Sequence, residues 1–179
     1  MNTAREAGVN AFVTKPIFRS RMAALFHELL GNDDSSAKVV DVETAAPNDF
    51  HGRRALLVED EEINAEIARE ILENLGFAVD YAENGKEAVD RFSVTPDGYY
   101  DIIFMDVRMP VMNGYEATRA IRAADSADAA TVPIIAMTAN AFVSDMEDAR
   151  NAGMNAHVAK PIDIKQLYKT LNDLLPLGK

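Results

Sequence analysis

The stretch DIIFMD, residues 101–106, decides the fold of this chain. Its unbroken apolar run is typical of a short strand that is buried on both faces of a sheet. Asp106 follows the run directly, and the next residues, VRMPVMNG at 107–114, end in Asn-Gly, a dipeptide that marks a tight loop. The sequence therefore predicts a carboxylate at the C-terminal end of a rigid strand, where it is open to a ligand.

Strands and helices alternate from Arg53 onward. Apolar runs predict five strands, at 55–58, 77–82, 101–105, 134–137 and 156–159. A helical pattern follows each strand, and the first helix should end at Gly76. Its predicted core stripe consists of Ile63, Ile67, Ile71, Leu72 and Leu75. Five strand–helix pairs predict an α/β fold, a doubly wound parallel sheet with helices on both faces.

Composition narrows the class of function. The chain has 179 residues, of which 48% are hydrophobic and 26% charged, so it can build an ordinary core. It has no cysteine, which excludes disulfides and thiolate metal sites and is consistent with a cytoplasmic location. We find neither a signal-peptide core nor an apolar run of the roughly 18 residues that span a membrane, so we expect no membrane insertion by this segment. The net charge of −11 argues against nucleic acid as a partner and favours a metal ion or a basic protein.

The N-terminal segment repeats part of the C-terminal one. Residues 4–17, AREAGVNAFVTKPI, match residues 149–162, ARNAGMNAHVAKPI, at ten of fourteen positions. We therefore interpret residues 1–31 as the last strand and helix of a preceding copy of the unit at 53–179. Residues 32–52 are acidic and lack periodicity, which predicts a linker. The first copy has no counterpart of Asp106, so we expect one working site per chain.

Polar residues stand at the ends of four predicted strands. Glu59 and Asp60 follow the first strand, Asp106 the third, Thr138 the fourth and Lys160 the fifth. Each alone is common on a solvated loop, but parallel sheets bind ligands at the carboxyl ends of their strands. Carboxylate oxygens are ligands that Mg²⁺ prefers, and a carboxylate can also act as a nucleophile toward a phosphoryl group. The clustering of these residues at one edge of the sheet predicts a site that binds Mg²⁺ and accepts a phosphoryl group.

Four motifs carry these residues, and together they resemble the receiver domain of two-component response regulators. They are LLVEDEEIN at 56–64, IIFMDVRMPVMNGYEATRAIR at 102–122, PIIAMTAN at 133–140 and AGMNAHVAKPI at 152–162. The resemblance covers residues 53–175. It implies a flavodoxin-like fold with strand order 2-1-3-4-5 and five flanking helices. It also implies Mg²⁺-dependent transfer of a phosphoryl group from a phosphohistidine to Asp106.

The resemblance implies a role for each residue of the site. Glu59, Asp60, Asp106 and the backbone carbonyl of Arg108 are expected to hold Mg²⁺, with Mn²⁺ as the alternative ion. Lys160 is expected to contact the phosphoryl group and to precede Pro161 through a cis peptide bond, a state that only X-Pro bonds adopt at low cost.

A conformational switch is also implied. Thr138 matches the switch hydroxyl, and His157 stands where the family commonly has Tyr or Phe. The implied partners are a histidine kinase domain or a histidine phosphotransfer protein. Separately, the helix in residues 1–31 has an apolar stripe that needs cover, and we expect it to pack on the neighbouring receiver unit or on a second copy of this chain. The tandem arrangement resembles the C-terminal region of hybrid sensor histidine kinases. The segment itself is then expected to catalyse only its own phosphorylation and dephosphorylation, whereas the parent would be a protein-histidine kinase that could be anchored in a membrane.

Other functions fit the sequence less well. A pseudo-receiver, a folded but unphosphorylated protein-interaction module, is the alternative, yet it would lack one of the five site residues, and all five are present. A phosphatase of the haloacid dehalogenase type needs a second Asp two residues after the first, where Arg108 stands. A flavodoxin needs a Ser/Thr/Gly-rich phosphate loop after the first strand, where this chain has Glu59-Asp60-Glu61-Glu62.

Overall fold

The computed structural model describes residues 50–139 and 143–175 of the chain. Five strands form one parallel sheet in the order β2-β1-β3-β4-β5, as the family resemblance predicted. The strands are β1 (Arg54–Val58), β2 (Ala78–Ala82), β3 (Ile102–Asp106), β4 (Ile134–Thr138) and β5 (Ala156–Ala159). The helices are α1 (Glu62–Asn74), α2 (Gly85–Val94), α3 (Gly114–Arg122), α4 (Val143–Ala152) and α5 (Ile164–Leu174).

The central strand β3 divides the core into two layers. All five of its residues are buried. Ile103 and Met105 point into the layer under α2, α3 and α4, whereas Ile102 and Phe104 point into the layer under α1 and α5. Successive side chains of a strand face opposite sides of the sheet, so a strand covered on both faces must be apolar throughout. Burying each such side chain contributes roughly 1.5–3 kcal/mol, which holds Asp106 on a rigid support.

Helix α1 corrects the predicted core stripe. Ile71 and Leu72 are buried as expected, but Ile63 is 66% exposed and Ile67 is 39% exposed. Ala65 and Ala68 take their places against the sheet. At about 100° per residue, Ile67 lies roughly 100° and Ile63 roughly 140° around the helix from Ala68. The large side chains misled the prediction, since small alanines form that part of the packing face. The predicted stop is confirmed: Gly76 follows the helix with a φ of 99°.

Phe50 belongs to the core, although it falls within the predicted linker. It is fully buried, and its ring stacks on Phe77 with 4.9 Å between centroids. The Phe50 N–H also donates to the carbonyl of Leu75 at 3.3 Å. The apolar ring therefore closes the layer under α1 and α5. The predicted remnant at 1–31 and the linker up to residue 49 lie outside the described residues.

Arg122, the last residue of α3, fixes the turn between α4 and β5. Its guanidinium donates to the carbonyl oxygens of Gly153 (3.0 Å) and Ala129 (2.8 Å) and to Asn155 Oδ1 (2.8 Å). Asn155 Oδ1 also accepts from the N–H of Ile134, at the start of β4. One side chain thus ties three segments together.

Candidate functional site

The predicted site residues meet at the carboxyl edge of the sheet. Asp106 and Thr138 are the last residues of β3 and β4, and Glu59 and Lys160 directly follow β1 and β5. Because all strands run parallel, their ends face the same side, and the register pairs Asp106 with Met137, one residue before Thr138. The Lys160–Pro161 bond is cis, as predicted.

Three carboxylates converge at this edge. One oxygen each from Glu59, Asp60 and Asp106 lie within 4.8 Å of one another, the spacing of a group that could hold a metal ion. Glu59 and Asp106 are buried, with 1% and 7% of their surface exposed, whereas Asp60 is exposed. Such a set of hard oxygen ligands fits Mg²⁺, which keeps several of its waters and therefore needs an open side. Because Asp60 is exposed, the carboxylate cluster is open to solvent on its side.

Lys160 bridges the two buried carboxylates. Its Nζ lies 2.6 Å from Asp106 Oδ2 and 2.5 Å from Glu59 Oε2. Burial alone would lower the pKa of Lys160, but the hydrogen bonds to Asp106 and Glu59 outweigh it and raise the pKa above its usual value. The ammonium therefore stays charged at neutral pH and offsets part of the negative charge of the carboxylates.

Glu59 is held at every polar atom. Asn64 Nδ2 donates to Oε1 at 3.2 Å, and Lys160 donates to Oε2. The Tyr81 hydroxyl donates to the Glu59 carbonyl at 2.8 Å, and the Glu59 N–H donates to the carbonyl of Ala82 at 3.1 Å. Burial raises the pKa of Glu59; the hydrogen bond from Lys160 opposes this shift, and the charge of Asp106 reinforces it.

Asn64 and Tyr81 were missed by reasoning from the sequence. Asn64 lies in the quoted motif LLVEDEEIN and one turn beyond the acidic pair, so its position was an available signal. Tyr81 lies on a different strand, and its contact with Glu59 depends on the register that pairs Val58 with Ala82. No local pattern in the sequence indicates such a pairing.

The loop after Asp106 is shaped by close backbone approach. A Cβ atom on Gly114 would lie 2.2 Å from the carbonyl oxygen of Asp106, so only glycine fits. The sequence predicted only that Asn113 closes a loop, but this residue also caps α3. Its side chain accepts from the Glu116 N–H, and the Glu116 side chain accepts from the Asn113 N–H. The Arg108 N–H donates to Asp106 Oδ1 at 3.2 Å, and the Arg108 side chain is exposed.

Thr138 and His157 line one small cavity. Its volume is about 10 Å³, and its other walls include Met146 and Ala149 of α4 and Tyr115 of α3. This space holds at most about one water, and it is too small to admit an imidazole ring. A rotation of His157 into the cavity would therefore require its walls, which include residues of α4, to move.

An apolar cleft of about 80 Å³ adjoins the carboxylates. Glu59 and Lys160 form one end of it, and Ile67, Pro161 and Ile162 contribute apolar walls. Ile63 and Ile67, which the core does not use, make this side of α1 unusually apolar for an exposed surface.

Comparison with known proteins agrees with this geometry. The family described as response regulator receiver domain matches residues 55–172. The receiver domain of a Pseudomonas aeruginosa sensor histidine kinase, solved with a magnesium ion in its active site cleft, is 41% identical, with a TM-score of 0.62 over 69% of this chain and 97% of that chain. A Saccharomyces cerevisiae receiver domain, solved with a histidine phosphotransfer protein, is 29% identical, with a TM-score of 0.59 over 68% of this chain and 88% of that chain.

Longer relatives are histidine kinases. The probable histidine kinase 5 of Oryza sativa subsp. japonica is 32% identical over 189 residues, which include 96% of this chain but only 16% of the relative. Hybrid signal transduction histidine kinase I of Dictyostelium discoideum is 37% identical, over 67% of this chain and 7% of the relative. Among the described residues, we find no helix both long and apolar enough to span a membrane. The match over residues 55–172 shows that the chain belongs to the response regulator receiver domain family.

Proposed function

We propose that Asp106 accepts a phosphoryl group from a phosphohistidine and that this chain is one step of a phosphorelay. The observation that carries the proposal is Lys160, whose Nζ lies 2.6 Å from Asp106 Oδ2. A partly buried ammonium beside a strand-end carboxylate offsets the charge of incoming phosphoryl oxygens, and phosphoryl transfer depends mainly on such positioning and charge. The membership in the receiver family supports the same reading.

The transfer exchanges one bond for another. An Asp106 carboxylate oxygen attacks phosphorus, the bond between phosphorus and the imidazole nitrogen of the donor breaks, and that nitrogen keeps the electron pair. Lys160, which contacts Asp106 Oδ2 at 2.6 Å, would offset the negative charge on the transferred phosphoryl group. The Arg108 N–H, 3.2 Å from Asp106 Oδ1, orients the carboxylate.

Glu59, Asp60 and Asp106, with the carbonyl of Arg108, would hold the divalent ion. Their oxygen chemistry fits Mg²⁺, with Mn²⁺ as the alternative, and the Pseudomonas receiver domain supports the choice of magnesium. When bound, the ion neutralises charge on the phosphoryl oxygens. Asp60, the exposed member, gives the ion its route from solvent.

The phosphodonor would dock on the apolar side of α1. Ile63, Ile67 and the cleft ending at Lys160 offer an exposed apolar surface beside Asp106. An amphipathic helix of a histidine phosphotransfer protein or of a histidine kinase domain could lie along such a surface. The yeast complex, in which a receiver domain meets a histidine phosphotransfer protein, supports this class of partner.

Thr138 and His157 would report the phosphorylated state. Both line the cavity of about 10 Å³ under α4. Movement of Thr138 toward a phosphoryl oxygen would enlarge this space, and His157 could follow only if α4 shifted. The phosphoryl group would thus bias two arrangements of α4, which is what a switch requires.

The larger context follows from the relatives. We propose a cytoplasmic segment of a hybrid histidine kinase, with 1–31 as a receiver remnant and 32–52 as an acidic linker, in which Phe50 packs into the core. The helix of the remnant would pack on the receiver unit or on a second copy of the chain. Deleting residues 1–48 should therefore change the stability or the oligomeric state of the chain. If it changes neither, the proposal that this helix packs on a partner is wrong.

Labelling with a small phosphodonor tests the central proposal. Acetyl phosphate with Mg²⁺ should add one acid-labile phosphoryl group, visible by intact mass, and Asp106→Asn should abolish it. Asp101→Asn, at the other end of the same strand region, is the matched control and should label normally. Labelling that persists in Asp106→Asn would overturn the assignment, and no labelling of the unmodified chain would favour the pseudo-receiver.

Metal binding has its own test. Mg²⁺ at ten times its dissociation constant should stabilise the fold by about 1.4 kcal/mol. Asp60→Asn should remove most of that gain, because it deletes the charge of the exposed ligand. An unchanged melting curve in the presence of Mg²⁺ would contradict the metal site.

A further inference from the structure

The end of β2 holds the backbone of Glu59 at two points. The Glu59 N–H donates to the carbonyl of Ala82 at 3.1 Å, which continues the pairing of β1 with β2 by one residue. The Tyr81 hydroxyl donates to the Glu59 carbonyl at 2.8 Å, although Glu59 lies beyond the end of β1. The second hydrogen bond is unusual, because the donor to the Glu59 carbonyl is a side-chain hydroxyl and not the backbone N–H of a paired strand.

Tyr81 is well placed to hold this bond. The guanidinium carbon of Arg69 lies 5.3 Å from the centre of the Tyr81 ring, a cation–π contact that restrains the ring. Burial raises the pKa of Tyr81, and the charges of Glu83 and Glu59 raise it further. The hydroxyl therefore remains protonated, and a donor, at neutral pH.

The bond from Tyr81 orients Asp60 as well as Glu59. The carbonyl of Glu59 and the nitrogen of Asp60 belong to one peptide group, which is planar and rigid. A fixed direction of the Glu59 carbonyl therefore also fixes the orientation of the peptide plane that contains the Asp60 nitrogen. The Asp60 side chain is exposed, so this backbone restraint replaces the packing that positions the two buried carboxylates.

We infer that Tyr81 is a positioning residue for the divalent ion, acting through the peptide between Glu59 and Asp60. The inference rests on the proposed function, because it presupposes that Asp60 is a ligand. It assigns Tyr81 an effect on ion affinity that a packing role would not produce, since the ring, and not the hydroxyl, supplies the packing.

Tyr81→Phe separates the two roles, because it keeps the ring and removes only the donor. Titration with MgCl₂ by isothermal calorimetry should give a dissociation constant about threefold to tenfold higher than that of the unmodified chain. This is at or below the lower end of the roughly 10–100-fold loss seen when partners of metal ligands are removed, because Tyr81 contacts the backbone and not a ligand oxygen. Amide spectra without metal should shift at Asp60, while the urea midpoint in EDTA changes little.

Tyr99→Phe is the matched control. Tyr99 also carries an arginine on its ring, with Arg54 4.7 Å from the centroid, but it precedes β3 and so lies at the opposite edge of the sheet. Its substitution should leave the Mg²⁺ dissociation constant unchanged. Arg69→Met, which frees the ring of Tyr81 but keeps its hydroxyl, should weaken Mg²⁺ binding in the same direction and by less.

The outcomes are distinguishable. An Mg²⁺ dissociation constant for Tyr81→Phe within twofold of the original would overturn the positioning role and leave the metal site intact. Equal weakening in Tyr99→Phe would also overturn it, because the effect would then be general. If the unmodified chain binds no Mg²⁺, the proposed function fails, and the inference fails with it.

Discussion

Replacing Lys160 with methionine should destabilise the empty site and at the same time strengthen Mg²⁺ binding. Methionine keeps most of the length and apolar volume of lysine but removes its charge. Lys160 now contacts Glu59 and Asp106, and the side chain is only 19% exposed. Its loss leaves three carboxylates with ligand oxygens within 4.8 Å of one another and no ammonium between the two buried ones.

The distances between the charged groups determine the expected loss of unfolding free energy in Lys160→Met. At an effective dielectric near 20, an ion pair at 2.6 Å is worth about 6 kcal/mol and a carboxylate pair at 4.8 Å costs at least about 3 kcal/mol, before desolvation is counted. Desolvation of Lys160 cancels much of the first figure, and water screens exposed Asp60. Removing one partner of a buried pair usually costs about 3–5 kcal/mol. We expect about 3 kcal/mol here, since water still reaches one side of the cluster.

Urea unfolding at pH 7, in EDTA and in MgCl₂, provides the assay. In EDTA, Lys160→Met should lose about 3 kcal/mol of unfolding free energy. In MgCl₂ it should regain more than the unmodified chain gains, because the ion replaces the missing positive charge. Lys169→Met, on the exposed side of α5, is the control and should behave like the unmodified chain. Equal stability in EDTA, or equal gains from Mg²⁺, would refute the electrostatic reasoning.

Three further predictions concern the surrounding fold. Phe50→Ala should cost about 3–5 kcal/mol in urea unfolding, and a loss under about 1 kcal/mol would return residue 50 to the linker. Gly114→Ala should cost about 3 kcal/mol, because the new methyl group meets the Asp106 carbonyl; a neutral result would contradict the close approach. Burial tends to raise the pKa of Asp128, but hydrogen bonds from Ser126 and Gly98 outweigh it and hold the pKa below its usual value. Its contribution to stability should therefore be complete above about pH 4 and vanish as the pH falls through the lowered value. The stability gap between the unmodified chain and Asp128→Ala should close over that range, and a gap independent of pH would contradict this.

The sheet was predictable from local composition, and one helix face was not. Strand β3 lies between two layers and is apolar from residue 102 to residue 105, so its sequence alone identified it. Helix α1 offered two candidate faces, one with large isoleucines and one with alanines, and the isoleucines proved to be exposed. Side-chain size is a poor guide where a helix lies close to a sheet, because close packing favours small residues.

The site likewise contains residues that the sequence identified and residues that it did not. Its charged members each end a strand, so topology alone gathers them, and the motifs identify them one by one. Tyr81 contacts Glu59 only because β1 and β2 pair in one particular register, and that register is a property of the folded sheet. Phe50 was missed because one aromatic residue in an acidic stretch carries no periodicity.

Arg122 determines how α4 can move. Since its guanidinium fastens the turn that follows α4, the C-terminal end of that helix is an anchored pivot. The ten residues of α4 span about 15 Å, so a tilt of about 10° would carry its N-terminal end roughly 2.5 Å and its C-terminal end hardly at all. A displacement that begins at the strand ends would then be largest at the N-terminal end of α4, which lies nearest the carboxyl edge of the sheet.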